Sequence, residues 1–307
     1  MSAPFAVIAQ PYPSKPIRLI VASSAGGGID LLARIMAPKF SELMGQPVLV
    51  DNRPGAGGTI GYEHGIRAVP DGYTLTIISA TYTVNPSFYA LKFDALNDCT
   101  PISQLVKFPH VVVAHPSLPA RNIRELIALA KKNPGGIAFG SSGQGAIIHL
   151  STELFMEKAG IKMTHVPYRG GGPALNDVIA GQISLVFAPP QTGLPQVKAR
   201  RVRALAVTTK ERLTTEPDIP TIAESGLADF DLSSWHAMIG PRGLPSATVD
   251  RVHRDINRTL RSPDVAERMQ ADGVAPSGST PDELRARIQK EIPMWKDVVA
   301  RARIKLE

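Results

Sequence analysis

The chain has 307 residues, of which 43% are hydrophobic and 20% are charged, and its formal net charge at pH 7 is +7. This length allows two domains of ordinary size, and the composition excludes a disordered chain. Lys and Arg are scattered and aromatic residues make up only 6%, so we expect no nucleic-acid partner. The net charge indicates either a solvated basic surface or steering of anionic ligands.

Cysteine content and hydropathy limit the class of protein further. Cys99 is the one cysteine of the sequence, which excludes an internal disulfide and a cysteine metal site. No apolar stretch of roughly 18 residues occurs, so no transmembrane helix is predicted. Val7-Ile8-Ala9 before Gln10 matches a signal-peptidase site. We expect residues 1–9 to be the remnant of an export signal whose charged start lies upstream; an ordinary flexible N-terminus is the alternative.

The first ordered stretch predicts an anion site. Residues 17–22 form an apolar run typical of a buried parallel strand, three glycines follow at positions 26–28, and a helix pattern begins near Asp30. Glycines allow a ligand to approach the backbone, and the first N–H groups of a helix have no partner within the helix. A tight strand-to-helix turn capped by Asp30 is the alternative. Leu31 stands where a dinucleotide fingerprint needs its third glycine, so the turn suits a small carboxylate.

The first hundred residues alternate strand and helix, which favours a parallel sheet flanked by helices. The predicted strands are 17–22, 47–50 and 73–79, and the predicted helices begin at residue 30 and after a second glycine-rich run, 51–61. Pro38 predicts a kink or a break in the first helix. The stretch 81–89 is polar, aromatic and irregular, and it follows the third strand, at the edge where open parallel sheets bind ligands.

A second alternation begins near Ile102 and ends near residue 220. Its predicted strands are 111–114, 136–140, 163–168, 184–188 and 204–208, and its predicted helices are 122–132, 146–159 and one that ends near residue 180. The turn 141–145 repeats the opening pattern of strand, small polar or glycine residues, and helix. After it we predict one strand, 234–240, and helices 246–261, 263–272 and 281–300, which we expect to pack on the first sheet.

The residues that could carry chemistry do not form a catalytic pattern. Gly140-Ser141-Ser142-Gly143 lacks the spacing of a nucleophile elbow, there is no His-Glu-x-x-His, and the seven histidines are spread along the chain. The glycine-rich turns offer N–H groups, hydroxyls and amides rather than an activated base or nucleophile. This inventory favours binding without turnover, and we expect no catalytic residue, no metal and no cofactor.

Several motifs together resemble one known family, from Gln10 to the end of the chain. They are Tyr12-Pro-Ser-Lys-Pro-Ile-Arg-Leu-Ile-Val21, Val50-Asp-Asn-Arg-Pro-Gly-Ala-Gly-Gly-Thr59, Pro70-Asp-Gly-Tyr-Thr74, Asn85-Pro86, His165-Val-Pro-Tyr-Arg-Gly170, Pro173-Ala-Leu-Asn-Asp177, Ala180-Gly181 and Leu205-Ala-Val-Thr208. The sequence is similar to the Bug-type periplasmic solute receptors of tripartite tricarboxylate transporters. The resemblance implies a monomeric α/β clamshell of the type II periplasmic-binding-protein kind, with two crossovers between its lobes.

Fold and function expectations follow from this resemblance. We expect residues 1–102 and 223–307 in lobe 1 and residues 103–222 in lobe 2. The protein would bind a small organic acid in the periplasm, without turnover, and deliver it to the permease subunits of the membrane transporter. A receptor that feeds a membrane sensor kinase is the alternative, and an enzyme acting on a carboxylate is a more distant one.

The resemblance also implies a set of ligand-binding residues. They are Ser24, Ala25, Gly26, Gly27, Gly28 and Asp30 in the first loop, Thr83, Val84 and Asn85 after the third strand, Ser141, Ser142, Gly143, Gln144 and His149 in the facing loop, and Phe187 and Ala188. A ligand carboxylate is expected between the N–H groups near Gly27 and Gly28 and the hydroxyls near Ser141 and Ser142. Arg169 is the competing candidate for pairing with its charge.

Two departures from the family pattern concern the polarity of this site. Ala25 and Ile29 stand where the family usually has Pro and Thr, and Ala188-Pro189 replaces a frequent Asp-Asn pair. Both changes remove polar groups that could hydrogen-bond a ligand. They favour a ligand with an apolar or aromatic body and a carboxylate end.

Overall fold

The structure is a computed structural model that describes residues 12–302; the predicted signal remnant, 1–9, lies outside this range. The strands are β1 (Ile17–Val21), β2 (Val48–Asn52), β3 (Thr74–Ser79), β4 (Cys99–Phe108), β5 (Val111–Ala114), β6 (Ala138–Ser141), β7 (Thr164–Pro167), β8 (Leu185–Ala188), β9 (Arg203–Val207), β10 (Ser234–Pro241) and β11 (Ala275–Pro276). The helices are α1 (Gly28–Met44), α2 (Thr59–Ile66), α3 (Thr81–Val84), α4 (Ile123–Lys132), α5 (Ile147–Ala159), α6 (Gly171–Ile179), α7 (Pro190–Lys198), α8 (Ser246–Arg261), α9 (Pro263–Ala271) and α10 (Pro281–Ala302).

Within the described range the strands form two mixed sheets, one in each half of a two-lobed α/β fold. The first sheet has the order β11-β4-β10-β3-β1-β2, and the second has the order β7-β6-β8-β5-β9. β1 pairs in parallel with β2 and β3, and β6 pairs in parallel with β7 and β8. The apolar residues of β1 and β3 are buried because helices cover the sheet. The C-terminal ends of these parallel strands therefore mark the ligand-binding edge of each sheet.

The chain passes twice between the sheets. β4 belongs to the first sheet as far as Phe108 and β5 opens the second sheet at Val111, so residue 102, where we placed the first boundary, falls inside a strand. On the return, the Leu232 N–H donates to the Thr208 carbonyl at 2.9 Å, and β10 then begins at Ser234. The pairings thus place both passages somewhat later than residues 102 and 222, and the division into lobes remains a prediction.

The C-terminal helices pack on the first sheet. α8 contacts α1 and β4, and α10 contacts β4 and α3. Glu291 of α10 accepts hydrogen bonds from Trp235 Nε1 at 3.0 Å and from Thr83 Oγ1 at 3.0 Å. This buried carboxylate therefore fixes the end of the chain to the segment that follows β3.

Three local features differ from the sequence-based expectations. α1 continues through Pro38 without a break and ends at the left-handed Gly45, because the apolar side of its last turns, including Phe40, is buried. Residues 81–87 form helical turns rather than an irregular segment. α7 was not predicted, since Pro195 lies inside it. Asn122, by contrast, caps α4 as predicted, accepting from the Glu125 N–H at 2.9 Å.

Gly61 determines how closely α2 approaches the first sheet. A Cβ at Gly61 would lie 2.7 Å from the Arg53 carbonyl oxygen and 2.8 Å from the Ala22 Cα, both closer than real Cβ contacts allow. These neighbours are backbone atoms or short side chains that cannot rotate away. The position of α2, and of the glycine turn before it, therefore depends on this missing side chain.

We expect Gly61→Ala to lower the free energy of unfolding by about 1–3 kcal/mol, because helix and strand must separate to admit the methyl group. Gly172→Ala is the matched control within a helix: its nearest neighbour is 3.7 Å away, and alanine is the better helix former. Urea unfolding monitored by circular dichroism measures both. Equal stability of the two variants would contradict the close approach.

Two buried histidines stand beside the passages between the sheets. His110 lies between β4 and β5, and His236 lies in β10; their exposed fractions are 1% and 4%. Burial lowers the pKa of His110 to about 4 and that of His236 to about 3. In the unfolded chain a histidine titrates near 6.5, so the folded state disfavours the protonated rings.

The stabilising contribution of these neutral rings is complete above pH 6.5 and is lost as the pH falls towards 4. We expect the free energy of unfolding to decrease over this window by up to about 1.4 kcal/mol per pH unit for each histidine, because the unfolded state binds more protons. Guanidinium titrations at several pH values measure the slope. His236→Gln should reduce the number of protons taken up on unfolding, and with it the slope, by about one proton. An unchanged slope would contradict the prediction. His64→Gln, at an exposed position, is the control.

Candidate functional site

One cavity at the interface between the two halves, here called the outer cavity, has a volume of about 260 Å³. It lies where β1, β2, β3, β6 and β7 end, so both sheets present their ligand-binding edges to it. Its lining residues are Ala22, Ser23, Ile29, Gly55, Ala56, Gly57, Gly58, Tyr62, Ser79, Thr81, Tyr89, Ser142, Gly143, Gln144, Ala146, Pro167, Tyr168, Arg169 and Gly170.

Two backbone turns face each other across the outer cavity. One is the second glycine turn (residues 55–58), and the other is the Ser142 turn (residues 142–146). A Cβ at Gly143 would lie 3.6 Å from the Gly57 nitrogen, and the Tyr89 hydroxyl donates to the Gln144 carbonyl at 2.8 Å. The structure therefore brings Ser142, Gly143 and Gln144 opposite the second glycine turn. The glycine-rich run 51–61 was the sequence signal for this turn, which the predicted site left out.

The first loop faces a different partner, the segment 169–172 that opens α6. A Cβ at Gly172 would lie 3.7 Å from the carbonyl oxygen of Gly26, and one at Gly170 would collide with the Ser24 hydroxyl. Thr81 adds a contact nearby, because its Oγ1 accepts from the Ile147 N–H at 3.0 Å. The two halves thus touch on both sides of the outer cavity, through backbone groups that small residues leave accessible.

Four helices begin at the outer cavity or directly beside it: α1, α2, α5 and α6. Their N-cap residues are Gly27, Gly58, Ala146 and Gly170, and none of these provides a side-chain cap. The first N–H groups of an uncapped helix carry partial positive charge and need acceptors. The helix starts therefore converge on a region suited to an anion.

The side chains of the outer cavity carry one charge, and it is positive. Arg169 is exposed at the rim, and its guanidinium takes part in no ion pair among residues 12–300. No carboxylate belongs to the lining. The charge of the Arg169 side chain and the partial charges of the helix N-termini are therefore both positive.

The Asp30 carboxylate is engaged by neighbouring groups in this arrangement. Its carboxylate accepts from the Gly26 N–H at 2.9 Å, Arg34 Nε at 3.0 Å and Asn52 Nδ2 at 3.0 Å. Burial raises the pKa of Asp30, but these hydrogen bonds outweigh burial and lower it. We conclude that Asp30 fixes the shape of the first loop from behind.

The predicted residues after β3 also have other roles. Thr83 donates to the Ala80 carbonyl or to Glu291, and Val84 is fully buried. Asn85 Nδ2 donates to the Gly57 carbonyl at 3.2 Å. Neither Thr83, Val84 nor Asn85 lines the outer cavity, but Asn85 holds the second glycine turn.

Ser141 and His149 support the Ser142 turn rather than lining the cavity. Ser141 Oγ lies 2.6 Å from His165 Nε2 and 3.0 Å from the Gly143 carbonyl. His149 Nδ1 accepts from the Gly145 N–H at 3.1 Å, and its ring stacks on His165 at 3.8 Å. Burial and the neighbouring His149 lower the pKa of His165 to about 3. Ser141 is fully buried and His165 is a weak base, so this pair holds a turn and does not form a nucleophile.

The remaining predicted residues divide among four places. Phe187 and Ala188 are buried in the core, Ala25 and Gly26 line a separate cleft beside Leu31, and Ser24 contacts Gly170. Gly27 and Gly28 line a small inner cavity of about 60 Å³ that adjoins the outer one. The inner cavity is lined by Ser23, Gly27, Gly28, Ile29, Ser79, Thr81, Phe108, His110, Ser142, Ile147, Ile148, Gly171, Pro189, Ser234 and His236.

Residues 12–302 were also compared with the requirements of a metal site and of a membrane-spanning helix. No group of three or more His, Cys, Asp or Glu side chains in that range is placed to hold a metal ion. None of its helices combines the length and the apolar character needed to cross a bilayer.

Comparison with known proteins connects this geometry with a family. The family model described as the tripartite tricarboxylate transporter family receptor matches residues 32–304. Protein BugT of Bordetella pertussis is 36% identical over 304 residues, which cover 98% of this chain and 93% of BugT.

Solved structures agree with this match. The periplasmic binding protein BugD superposes with a TM-score of 0.93 at 33% identity, covering 96% of this chain and 100% of BugD. Rpa4515 of R. palustris, solved with adipate, has a TM-score of 0.92 at 31% identity, with 96% and 99% coverage. MatC of Rhodopseudomonas palustris, solved with bound malate, has a TM-score of 0.87 at 27% identity, with 94% and 100% coverage. The chain belongs to the Bug-type receptor family of tripartite tricarboxylate transporters.

Proposed function

We propose that this protein is a periplasmic receptor that binds a small organic acid in the outer cavity and delivers it, chemically unchanged, to the permease subunits of a tripartite tricarboxylate transporter. One observation carries the proposal: four helix starts whose N-cap residues provide no side-chain cap, together with Arg169, surround a cavity that no carboxylate lines. The adipate and malate held by two relatives support the ligand class.

Binding of the anion is coupled to contact between the halves. α1 and α2 start on the side of the first sheet, while α5 and α6 start on the side of the second. Helix starts of like sign repel one another weakly when they face each other, and a shared anion replaces that repulsion with attraction to both. The ligand therefore favours the arrangement in which both halves contact it, as population shift requires.

The lining argues for release of an unaltered ligand. The outer cavity presents backbone N–H groups, hydroxyls and one exposed guanidinium, which hold an anion but do not transfer protons near neutral pH. The nearest serine–histidine pair, Ser141 and His165, is engaged in the Ser142 turn. Reception without catalysis is therefore the function that we assign.

We expect Gly57→Ala to weaken carboxylate binding at least tenfold, since Gly57 has φ +62° and a Cβ there would press on Tyr89 at 3.2 Å and alter the cavity wall. Gly243→Ala is the matched control, with φ +85° and no atom within 4 Å of the added Cβ. Isothermal calorimetry with adipate and malate measures both. If the Gly243→Ala control also lost binding, backbone strain and not the altered cavity wall would explain the loss in Gly57→Ala.

Arg169→Ala is expected to weaken binding by less than tenfold, with an effect that shrinks at higher salt, because the exposed guanidinium is screened. Arg121→Ala, which removes another exposed arginine, should leave affinity unchanged. Calorimetry at two salt concentrations distinguishes the models. Abolished binding in Arg169→Ala together with normal binding in Gly57→Ala would replace backbone recognition by a side-chain ion pair.

A further inference from the structure

Another cavity, here called the α8 groove, has a volume of about 600 Å³. It is bounded by one side of α8 and by the loop 276–280, which joins β11 to α10. It shares no lining residue with the outer or the inner cavity. The α8 groove is therefore separate from the site at the interface between the halves.

Hydrogen bonds to β4 fix the loop side of the α8 groove. Ser279 Oγ accepts from the Gln104 N–H at 2.8 Å, and the Ser279 N–H donates to Ser103 Oγ at 3.0 Å. The Gln104 side chain donates to Ser277 Oγ at 2.7 Å. On the other side, His253 Nε2 of α8 lies 2.9 Å from the Ser279 carbonyl oxygen. The groove is thus formed before a partner arrives, which reduces the ordering that binding must impose on the protein.

Three arginines of α8 lie along the groove and give it a positive charge. Arg254, Arg258 and Arg261 are exposed, and their spacing of four and three residues places them on one face of the helix. Glu283 supplies the carboxylate of the lining. That carboxylate accepts from the Thr280 N–H at 2.8 Å, as in a capping box. Positive side-chain charge therefore exceeds negative charge in the groove.

The buried carboxylate of Asp255 does not cancel this excess. Asp255 is 1% exposed, and its closest partner is Arg251 Nε. Its second oxygen lies 3.5 Å from Arg254 and 3.8 Å from Arg258. Arg261 takes part in no ion pair among residues 12–300. One carboxylate thus stands among three arginines, and a fourth arginine has no counter-charge.

The spacing of the arginines favours a long anion over a small one. A helix rises 1.5 Å per residue, so Arg254 and Arg261 lie roughly 10 Å apart along α8. A single small anion cannot span this distance, and one exposed ion pair contributes little by itself. In an extended peptide, side chains on one face repeat about every 6–7 Å, close to the roughly 6 Å from Arg254 to Arg258. Acidic side chains at alternate positions can therefore pair with several arginines at once.

The shape of the groove argues against a lipid surface as the partner. The apolar residues of its lining are Leu260, which is 3% exposed, and Pro276, which is half-buried. A face that binds a bilayer presents apolar side chains that insert among the headgroups. A peptide can enter the recess between α8 and the loop, whereas a flat bilayer meets only its rim.

We propose that the α8 groove is a docking surface for an extended acidic segment of the permease subunits. The proposal rests on the proposed function, because the permease is the partner assigned there. The formal net charge of +7 and the local excess of arginine accelerate the approach of an anionic partner. Since α8 and α10 pack against β4 of the first sheet, docking engages one half of the protein and none of the residues that line the outer cavity.

Fluorescence anisotropy with two labelled decapeptides tests the groove directly. One peptide alternates Glu with Ser, and the other alternates Gln with Ser. We expect the protein to bind the Glu peptide at least tenfold more tightly than the Gln peptide, with a difference that shrinks as salt rises. The combined variant Arg254→Ala, Arg258→Ala and Arg261→Ala, here called the groove variant, should lose most of this preference.

A matched control removes the same charge from exposed positions elsewhere. It combines Arg121→Ala, Lys131→Ala and Lys132→Ala, in and just before α4, and it should keep the preference for the Glu peptide. Sedimentation with phosphatidylglycerol vesicles, and competition by inorganic phosphate at matched ionic strength, compare other anions with the peptide.

Uptake of radiolabelled malate or adipate into vesicles that contain the permease subunits tests the partner. We expect the groove variant to need at least tenfold more protein for half-maximal uptake than the unaltered chain. Its affinity for the same acid, measured by calorimetry, should change less than threefold, because the arginines line neither cavity of the interface. The control variant should behave like the unaltered chain in both measurements.

Each other outcome has a separate meaning. Equal binding of the two peptides, a preference that survives in the groove variant, or tighter binding to the lipid vesicles or to phosphate overturns the acidic-peptide groove and leaves the proposed function intact. Normal uptake by a groove variant that has lost the peptide overturns the permease as the partner, and so does uptake lost together with affinity for the acid. If neither acid binds the unaltered chain, the proposed function fails and the permease assignment fails with it, whereas the peptide result is read independently. Thermal unfolding checks that the variants are folded, and Arg261→Glu alone decides if the combined change prevents folding.

Discussion

Four helix N-termini with partial positive charge lie close together, and the rest of the site depends on this arrangement. α1, α2, α5 and α6 all begin at or beside the outer cavity, and none of their N-cap residues provides a side-chain cap. Partial positive charges gathered in this way require an acceptor from outside the protein. The surrounding residues accommodate this arrangement: glycines keep the backbone accessible, and the one charged side chain of the lining, Arg169, has the same sign as the helix ends.

The alternation of strands and helices could be predicted from the sequence because it depends on local patterns. Apolar runs marked the strands, and Asn122 marked the start of α4 through a cap whose partner lies three residues away. α7 was not predicted because Pro195, normally a helix breaker, is tolerated inside it. β4, which ends at Phe108, was not predicted either, since it is set by pairing with β10, far along the chain.

The location of the predicted site residues could be foreseen only in part, for a different reason. A sequence shows which residues belong to a turn but not which side chains the turn itself uses. Asp30, Ser141 and His149 are polar residues of the expected turns, yet each is bound to backbone of its own loop. The pairing of the second glycine turn with the Ser142 turn was also hidden, because it depends on how two separate sheets face one another. Ser234 and His236 gave no motif and are identified only by their burial beside a cavity.

The hydrogen bond from the Ile147 N–H to Thr81 Oγ1 has a consequence for observing this molecule at work. It joins the first residue of α5, on the second sheet's side, to the segment that follows β3 of the first sheet. Separation of the two halves would break it and expose that amide, whereas amides inside α5 would stay protected by their own helix. The rate at which this one amide proton exchanges with deuterated solvent therefore reports the opening of the cleft, and the ligand needs no label.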